Sequence, residues 1–415
     1  MHVRLGAFNC FICKVKVLIL HQHFNTPDSG GPLRSYYLAT ALLDAGFEVA
    51  VITGGKGKKY QVTNCDGIEI HHLPVAYENR FGFYKRGISF VQYALGAVRV
   101  ARTIENIGIC YAISVPITVG QSAIWIRRFL KIPFIFEVGD LWPDAPVQLG
   151  FVRNPMLKES LYWLEKRIYS NARTVVALSE PIAAAIARKS PATHVDVIPN
   201  MADTEFFSPT LKDTKLEDKY GVKEHFVVSY VGAIGFANGL DYFIECARAS
   251  QQADLPVKFL MCGEGAMRQQ FKTVVQTLGL KNLTILPPAI RTEVKEILNV
   301  TDAAFICYRP FPILETGSPH KYFDGLAAGK LIIVNFKGWM KSEIEEAQCG
   351  IALDPRHPHT FTEAIKPFLG DANLLREYQS HARALAERKY SRRELSQKYV
   401  RLFQAESSTS GGSSL

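Results

Sequence analysis

Four short stretches of this 415-residue chain hold the residue types that do chemistry where a strand gives way to a helix. The most distinctive is Glu315-Thr316-Gly317-Ser318-Pro319-His320-Lys321-Tyr322-Phe323-Asp324, between the apolar runs Ala303–Ile306 and Leu331–Val334. Gly317 and Ser318 stand where a helix would open, and the first N–H groups of a helix have no partners within it. The helix dipole makes that end a place for an anion such as a diphosphate. Lys321 would add positive charge against a departing diphosphate. Asp324, one residue past a full turn from His320, has the two acceptor oxygens that vicinal ribose hydroxyls require.

The other three stretches are less specific. Glu137-Val138-Gly139-Asp140-Leu141-Trp142-Pro143-Asp144 follows an apolar strand candidate. Carboxylates beside an indole suit sugar hydroxyls and a pyranose face. The alternative is Asp140 as a helix cap and Trp142 as core filling. Tyr230-Val231-Gly232-Ala233-Ile234-Gly235-Phe236-Ala237-Asn238-Gly239 is a strand running into a glycine loop, where backbone N–H groups can approach a phosphate. Gly30-Gly31, after the first strand, permits the same approach or is simply a tight turn. No loop has the spacing of a dinucleotide fingerprint or of a P-loop, which speaks against a nicotinamide-dependent dehydrogenase.

Positioning these stretches calls for alternating strands and helices. Val/Ile-rich runs fall at residues 14–20, 48–53, 68–73, 109–114, 133–136, 174–177 and 195–198, with helical patterns at 33–45, 90–105, 156–170 and 181–188. The alternation pauses in a charged stretch at 212–223 and resumes with strands at 226–231, 257–261, 283–286, 303–306, 331–334 and 351–353. Helical patterns at 240–250, 267–278, 293–299 and 321–328 interleave with them. This pattern predicts two doubly wound parallel-sheet domains. Their ligand crevices, beyond the carboxyl ends of the strands, would face each other and suit a reaction between two substrates. The expected division is an extension at 1–13, a first domain at 14–205, a linker at 206–222 and a second domain at 223–390. A helix at 391–406 would reach back to the first domain, ahead of a disordered Gly/Ser-rich tail at 407–415.

The charge is uneven. Residues 1–200 hold 22 Lys/Arg against 14 Asp/Glu, so nearly all of the net +9 lies in the first half. Arg80, Lys85 and Arg86 stand among aromatic residues just before an apolar helical pattern, as on a membrane surface or near a lipid-linked substrate. An ordinary solvated loop reads equally well, and nucleic acid is not an expected partner. No run is long and apolar enough to span a bilayer, and the N-terminus lacks the pattern of a secretory signal. A cytoplasmic protein is expected. Eight cysteines are scattered, and Cys10-Phe11-Ile12-Cys13 lacks the second pair that a zinc site needs.

In their order and spacing the four stretches resemble the family 4 retaining glycosyltransferases of the GT-B fold, over about residues 14–405. The branch that looks nearest builds bacterial surface polysaccharides, including O-antigen, and adds N-acetylated amino sugars such as N-acetylfucosamine. The resemblance implies two Rossmann-like domains and transfer, with retention, from a UDP-linked sugar to a glycan or polyprenyl-linked acceptor. This would occur in the cytoplasm or at the inner face of the membrane, without a metal. It places the donor at Gly31, Gly232, Asn238, Arg309, Glu315, Thr316, Gly317, Ser318 and Asp324, with Lys321 and Asp140 catalytic. Trp142, Asp144, Arg80, Lys85 and Arg86 would serve the acceptor.

The chain departs from the family pattern at named positions. Thr316 stands at the first acidic position, with Glu315 beside it, and Asp324 at the second. Ala233 and Asn238 replace the Arg/Lys pair that holds the diphosphate, which leaves Lys321 or Arg309 to compensate. Asp140 stands where many relatives carry a histidine, and Asn200 matches the stretch that closes the first domain. Competing readings are a nucleotide-sugar epimerase of related architecture and a membrane-associated scaffold that has lost activity.

Overall fold

A computed structural model describes residues 15–29, 31–55, 57–77 and 81–408. The first sheet contains β1 (Lys16–Leu20), β2 (Glu48–Gly54), β3 (Gln61–Cys65), β4 (Ile68–Leu73), β5 (Ile107–Ile113), β6 (Phe134–Val138), β7 (Val175–Ala177) and β8 (Val195–Val197), in the order β3-β4-β2-β1-β5-β6-β7-β8. The second contains β9 (Phe226–Val231), β10 (Val257–Cys262), β11 (Leu283–Leu286), β12 (Ala303–Ile306), β13 (Leu331–Val334) and β14 (Gly350–Ala352), in the order β11-β10-β9-β12-β13-β14. Every pairing is parallel except that of β3 with β4.

Helices cover both faces of each sheet. In the first domain they are α1 (Arg34–Asp44), α2 (Phe83–Ala101), α3 (Thr118–Leu130), α4 (Asp144–Gln148), α5 (Pro155–Asn171) and α6 (Glu180–Lys189). In the second they are α7 (Thr214–Tyr220), α8 (Asp241–Gln252), α9 (Arg268–Thr277), α10 (Arg291–Val300), α11 (His320–Ala327), α12 (Trp339–Glu346), α13 (Thr360–Gly370) and α14 (Ala372–Lys389), and α15 (Arg392–Ser408) follows. Local signals set several starts. Asn154 caps α5 by accepting from the Leu157 N–H, with Pro155 at the first helical position, and Ser179 caps α6 through the Ile182 N–H.

Alternation along the strands divides the cores. Leu18 and Leu20 of β1 face α2, α3, α5 and α6, whereas Val17 and Ile19 face α1 and α15. In the second sheet Phe305 packs towards α8 and α13, while Ala304 and Ile306 pack towards α11 and α14.

Several expectations need correction. The chain between β2 and β4 forms an exposed antiparallel edge strand, β3, whose polar residues gave no apolar alternation. Its hairpin turns on Asp66-Gly67, both at positive φ (51° and 86°), the backbone form that suits a two-residue turn. Helix α2 begins at Phe83 rather than near 90. The expected linker is not open chain: it contains α7, and Leu216, Tyr220 and Val222 pack on the second domain near α10. Phe207 already belongs to the second core. Helices α3, α12, α13 and α14 were not anticipated. Helix α15 continues two residues into the expected tail, while residues 1–13 and the rest of the tail lie outside the described residues.

The chain crosses between domains twice, near Ala202 and near Ser391, and the crossings lie side by side. The Ala202 N–H donates to the Tyr390 carbonyl (2.8 Å), and the Arg392 N–H to the Ala202 carbonyl (3.2 Å). A further join is apolar: Phe311, Ile313 and Leu314, from the second domain, pack against the first domain's core.

Candidate functional site

The start of α1 and the carboxyl ends of β9, β10 and β12 converge on a cavity of about 540 Å³ between the domains. Two glycine loops form its floor by interlocking. A Cβ on Gly263 would lie 1.8 Å from the Gly232 carbonyl oxygen, and one on Gly265 would lie 2.3 Å from that of Ile234. Both glycines sit at positive φ (150° and 158°), so side chains are excluded by space and by backbone form. Gly232 in turn leaves room for Lys321, whose Cε would be 3.0 Å from a Cβ there.

Helix α11 presents His320, Lys321 and Asp324 to this cavity. The Lys321 ammonium donates to the Tyr230 hydroxyl (2.7 Å) and lies 4.1 Å from the centre of that ring. Burial pushes Lys321 down to about 7, because a cation removed from water with no anion beside it is costly. Burial also lifts Asp324 to about 7, opposed by the nearby Arg291 guanidinium. His320 is held at about 4, burial being the largest cause, and is neutral at physiological pH. The cavity thus holds a cation and a carboxylate, both poised near neutrality.

Residues that the sequence reading missed complete the walls. Arg291 pairs with Asp203 and lies against the Phe206 ring, 4.4 Å from its centre. Tyr37 donates to the same carboxylate (2.5 Å). From the first domain, Arg34 is bound to Glu137 (3.1 Å), and Glu137 also accepts from Tyr111 and Tyr399 (2.5 Å each). The Cys262-Gly263-Glu264-Gly265 loop had a readable signal, a strand ending in paired glycines. The Arg34 and Arg291 partners lie too far off in sequence to be read from spacing.

The expected donor residues divide. Gly31, Gly232, Lys321 and Asp324 line the cavity, and Gly31 has φ of 85° with Asn25 packed close. Gly30 lies outside the described residues. Arg309, Asn238, Glu315, Thr316, Gly317 and Ser318 are not among the lining residues. Arg309 donates to Asp241 (2.7 Å) and to the Phe236 carbonyl (2.8 Å), so it braces the glycine loop from outside. Asn238 accepts from the Gly235 N–H (3.4 Å).

The Glu315–Ser318 stretch makes the domain contact. The Thr316 carbonyl accepts from Ser179 (2.6 Å), the Gly317 carbonyl from Trp339 (3.0 Å) and the Ser318 carbonyl from Asn200. The Glu315 carbonyl packs where a Cβ on Gly338 would stand, 2.9 Å away. Helix α11 opens only after Pro319, and the Gly317 N–H is taken by the Leu314 carbonyl (3.3 Å). The helix therefore opens at His320 and Lys321, which line the cavity, and not at Gly317 and Ser318 as expected.

On the first-domain side, Asp140 faces the domain contact: its Oδ1 would lie 3.9 Å from a Cβ on Gly317. Burial pushes its carboxyl up. Trp142 packs against the first core, as core filling would require. Asp144 opens α4, where it pairs with Lys189 and accepts from Tyr162 (3.2 Å). Lys189 is shared with Glu165 (2.8 Å), so Asp144 belongs to a structural cluster away from the cavity. Arg80 lies outside the described residues. Lys85 stands 4.0 Å from the centre of the Phe81 ring, and Arg86 donates to the Phe81 carbonyl (2.8 Å). The six described cysteines are free, and among the described residues no cluster of His, Cys, Asp and Glu is arranged to hold a metal.

Two Rossmann-like domains facing across a cleft define the GT-B architecture. Residues 29–201 match the family of the glycosyl transferase 4-like domain, and residues 212–385 match glycosyl transferases group 1. The chain belongs to these glycosyltransferases. It is 22% identical over 273 residues to an alpha-D-kanosaminyltransferase of Streptomyces kanamyceticus, across 64% of this chain and 69% of that one. The fold is also that of the sucrose-phosphate synthase of Thermosynechococcus elongatus, with a TM-score of 0.78 and 15% identity over 95% of this chain and 100% of the other. Anabaena HepE, solved in complex with UDP-glucose, matches with a TM-score of 0.70 and 15% identity over 94% and 99%.

Proposed function

We propose that the protein transfers a sugar, of the N-acetylated amino type, from a UDP-linked donor to a glycan or polyprenyl-linked acceptor with retention. The setting is surface polysaccharide assembly at the inner face of the membrane. One observation carries the reading: Lys321 and Asp324 lie on one face of α11, inside the cavity between the domains. Asp324 is a ribose ligand and Lys321 a diphosphate ligand. Arg291, on the same cavity wall, is a second cation in place of those missing at Ala233 and Asn238.

As the diphosphate leaves, negative charge grows on its oxygens, and a low-polarity cavity strengthens the Lys321 attraction. Asp140, on the opposite domain at the contact with Gly317, is assigned the orienting of the sugar or the acceptor. The HepE complex with UDP-glucose supports a uridine nucleotide, and the kanosaminyl group named for the Streptomyces relative supports an amino sugar. The test is a panel of nucleotide sugars, with nucleotide diphosphate release followed with and without acceptor. Release with at least one UDP-sugar, reduced on the order of a hundredfold by Lys321→Ala, is expected. A folded parent protein that releases nucleotide from no donor overturns the reading.

A further inference from the structure

Helix α2 buries one face and exposes an apolar one. Inward, Tyr93, Ala97 and Ala101 sit in the first core, and the Tyr93 hydroxyl donates to the Ile52 carbonyl (2.7 Å). Outward, Tyr84 is 87% exposed, Ile88 58%, Val91 53% and Leu95 54%. At about 100° per residue these four positions fall within roughly 60° of one another, a stripe about 16 Å long. Beyond its end, Arg102 lies over Phe129 of α3, itself 55% exposed, at 5.7 Å from the ring centre.

Within the two helices that form this face every charged side chain is basic. Helices α2 and α3 pack together and contain Lys85, Arg86, Arg99, Arg127 and Arg128 but no Asp or Glu. Arg102 and Lys131 follow them directly. A protein surface that mixes large exposed apolar side chains with clustered cations suits a layer that is apolar below and anionic at its surface. A second copy of the chain fits poorly, because a two-fold contact would set the same cations against themselves.

We infer that the α2–α3 face docks the protein on an anionic lipid surface, with Tyr84, Ile88, Val91 and Leu95 entering the headgroup boundary. This deepens the lipid-linked-acceptor reading and rests on it for its purpose, though not for its evidence. The docking helix begins beside the cleft. Ser89 accepts from Gln22, just beyond the end of β1, and donates to the Ala76 carbonyl (3.0 Å each). A membrane held there would bring a lipid-borne acceptor to the first-domain side of the cavity.

The test is sedimentation of the full chain with vesicles of phosphatidylcholine alone or mixed with phosphatidylglycerol. Binding to the mixed vesicles at least tenfold above the neutral ones, weakened by salt, is expected. Ile88→Ser with Leu95→Ser should lower that binding at least tenfold. Arg99→Glu with Arg128→Glu should lower it by on the order of fivefold or more per residue. All four positions are exposed, and an unchanged UDP-induced thermal shift confirms that the variants fold and keep the donor site. Absence of vesicle binding, indifference to lipid charge, or parent-like binding by both variants overturns the inference. A dimer in light scattering that dissociates on Ile88→Ser with Leu95→Ser overturns it too, by assigning the face to self-association. Vesicle binding without a UDP shift would instead sink the functional reading and leave this one standing.

Discussion

The Tyr230 hydroxyl gives its proton to the Ala233 carbonyl (2.6 Å), so its oxygen is left to accept from the Lys321 ammonium. Tyr230→Phe keeps the ring under Lys321 and removes that acceptor. A hydrogen bond to a charged group contributes about 1.5–3 kcal/mol. At about 1.4 kcal/mol per pH unit, its loss should lower the Lys321 midpoint by roughly one to two units below its value of about 7. The sign follows from the cation, since Lys321 is charged below its midpoint and loses its proton above it. Nucleotide diphosphate affinity should therefore fall on the alkaline side, and in the variant that fall should begin roughly one to two units earlier. At pH 8 the loss should be roughly tenfold or more, and near pH 5.5 only a few-fold. Calorimetric titration of UDP across this range reads the difference. An equal loss at every pH, or an unmoved alkaline limb, would refute the assignment of Lys321 as the cation that titrates in the donor site.

Asp324→Asn should stabilise the empty protein while weakening nucleotide binding. The carboxyl rises from 3.8 to about 7 on folding, so the cost of ionising it is full above about 7 and absent below 3.8. The gain in thermal midpoint should be a few degrees at pH 8, corresponding to on the order of 1–3 kcal/mol, and near zero at pH 4. Equal gains at both pH values would contradict the buried-carboxylate origin. Gly263→Ala should cost several kcal/mol in urea unfolding, because its Cβ would overlap the Gly232 carbonyl and no flexible side chain can yield. A parent-like unfolding curve would show that the glycine loops are not locked together.

Much of the architecture was legible because both sheets are built from short Val/Ile-rich strands buried on both faces. The misses have physical causes. β3 is exposed along its length, so nothing in its side chains had to alternate. α7 is charged because most of it faces water, and its attachment rests on a few apolar residues around Leu216, Tyr220 and Val222. Within the candidate site, Lys321, Asp324 and Gly232 stood out because each lies in a local motif beside a strand end. Arg291, Asp203 and Arg34 reach the cavity from distant parts of the chain, which no local pattern records. The Glu315–Ser318 stretch read as a ligand loop, but the turn at Pro312–Thr316 aims it at the first domain and α11 begins later.

The paired crossings near Ala202 and Ser391 constrain how the cleft can open. A single strand would let one domain swivel freely, whereas two adjacent strands joined by hydrogen bonds behave like a door hung on two pins. Rotation about that line has to part the Phe311–Leu314 join, whereas twisting across it would strain both crossings as well. The walls of the cavity can then separate for exchange of ligands and return in the same alignment. The second pin also leads into α15, whose Tyr399 reaches Glu137 beneath the cavity. A chain cut before Arg392 would lose one pin and that support together, leaving two intact sheets that no longer meet reproducibly.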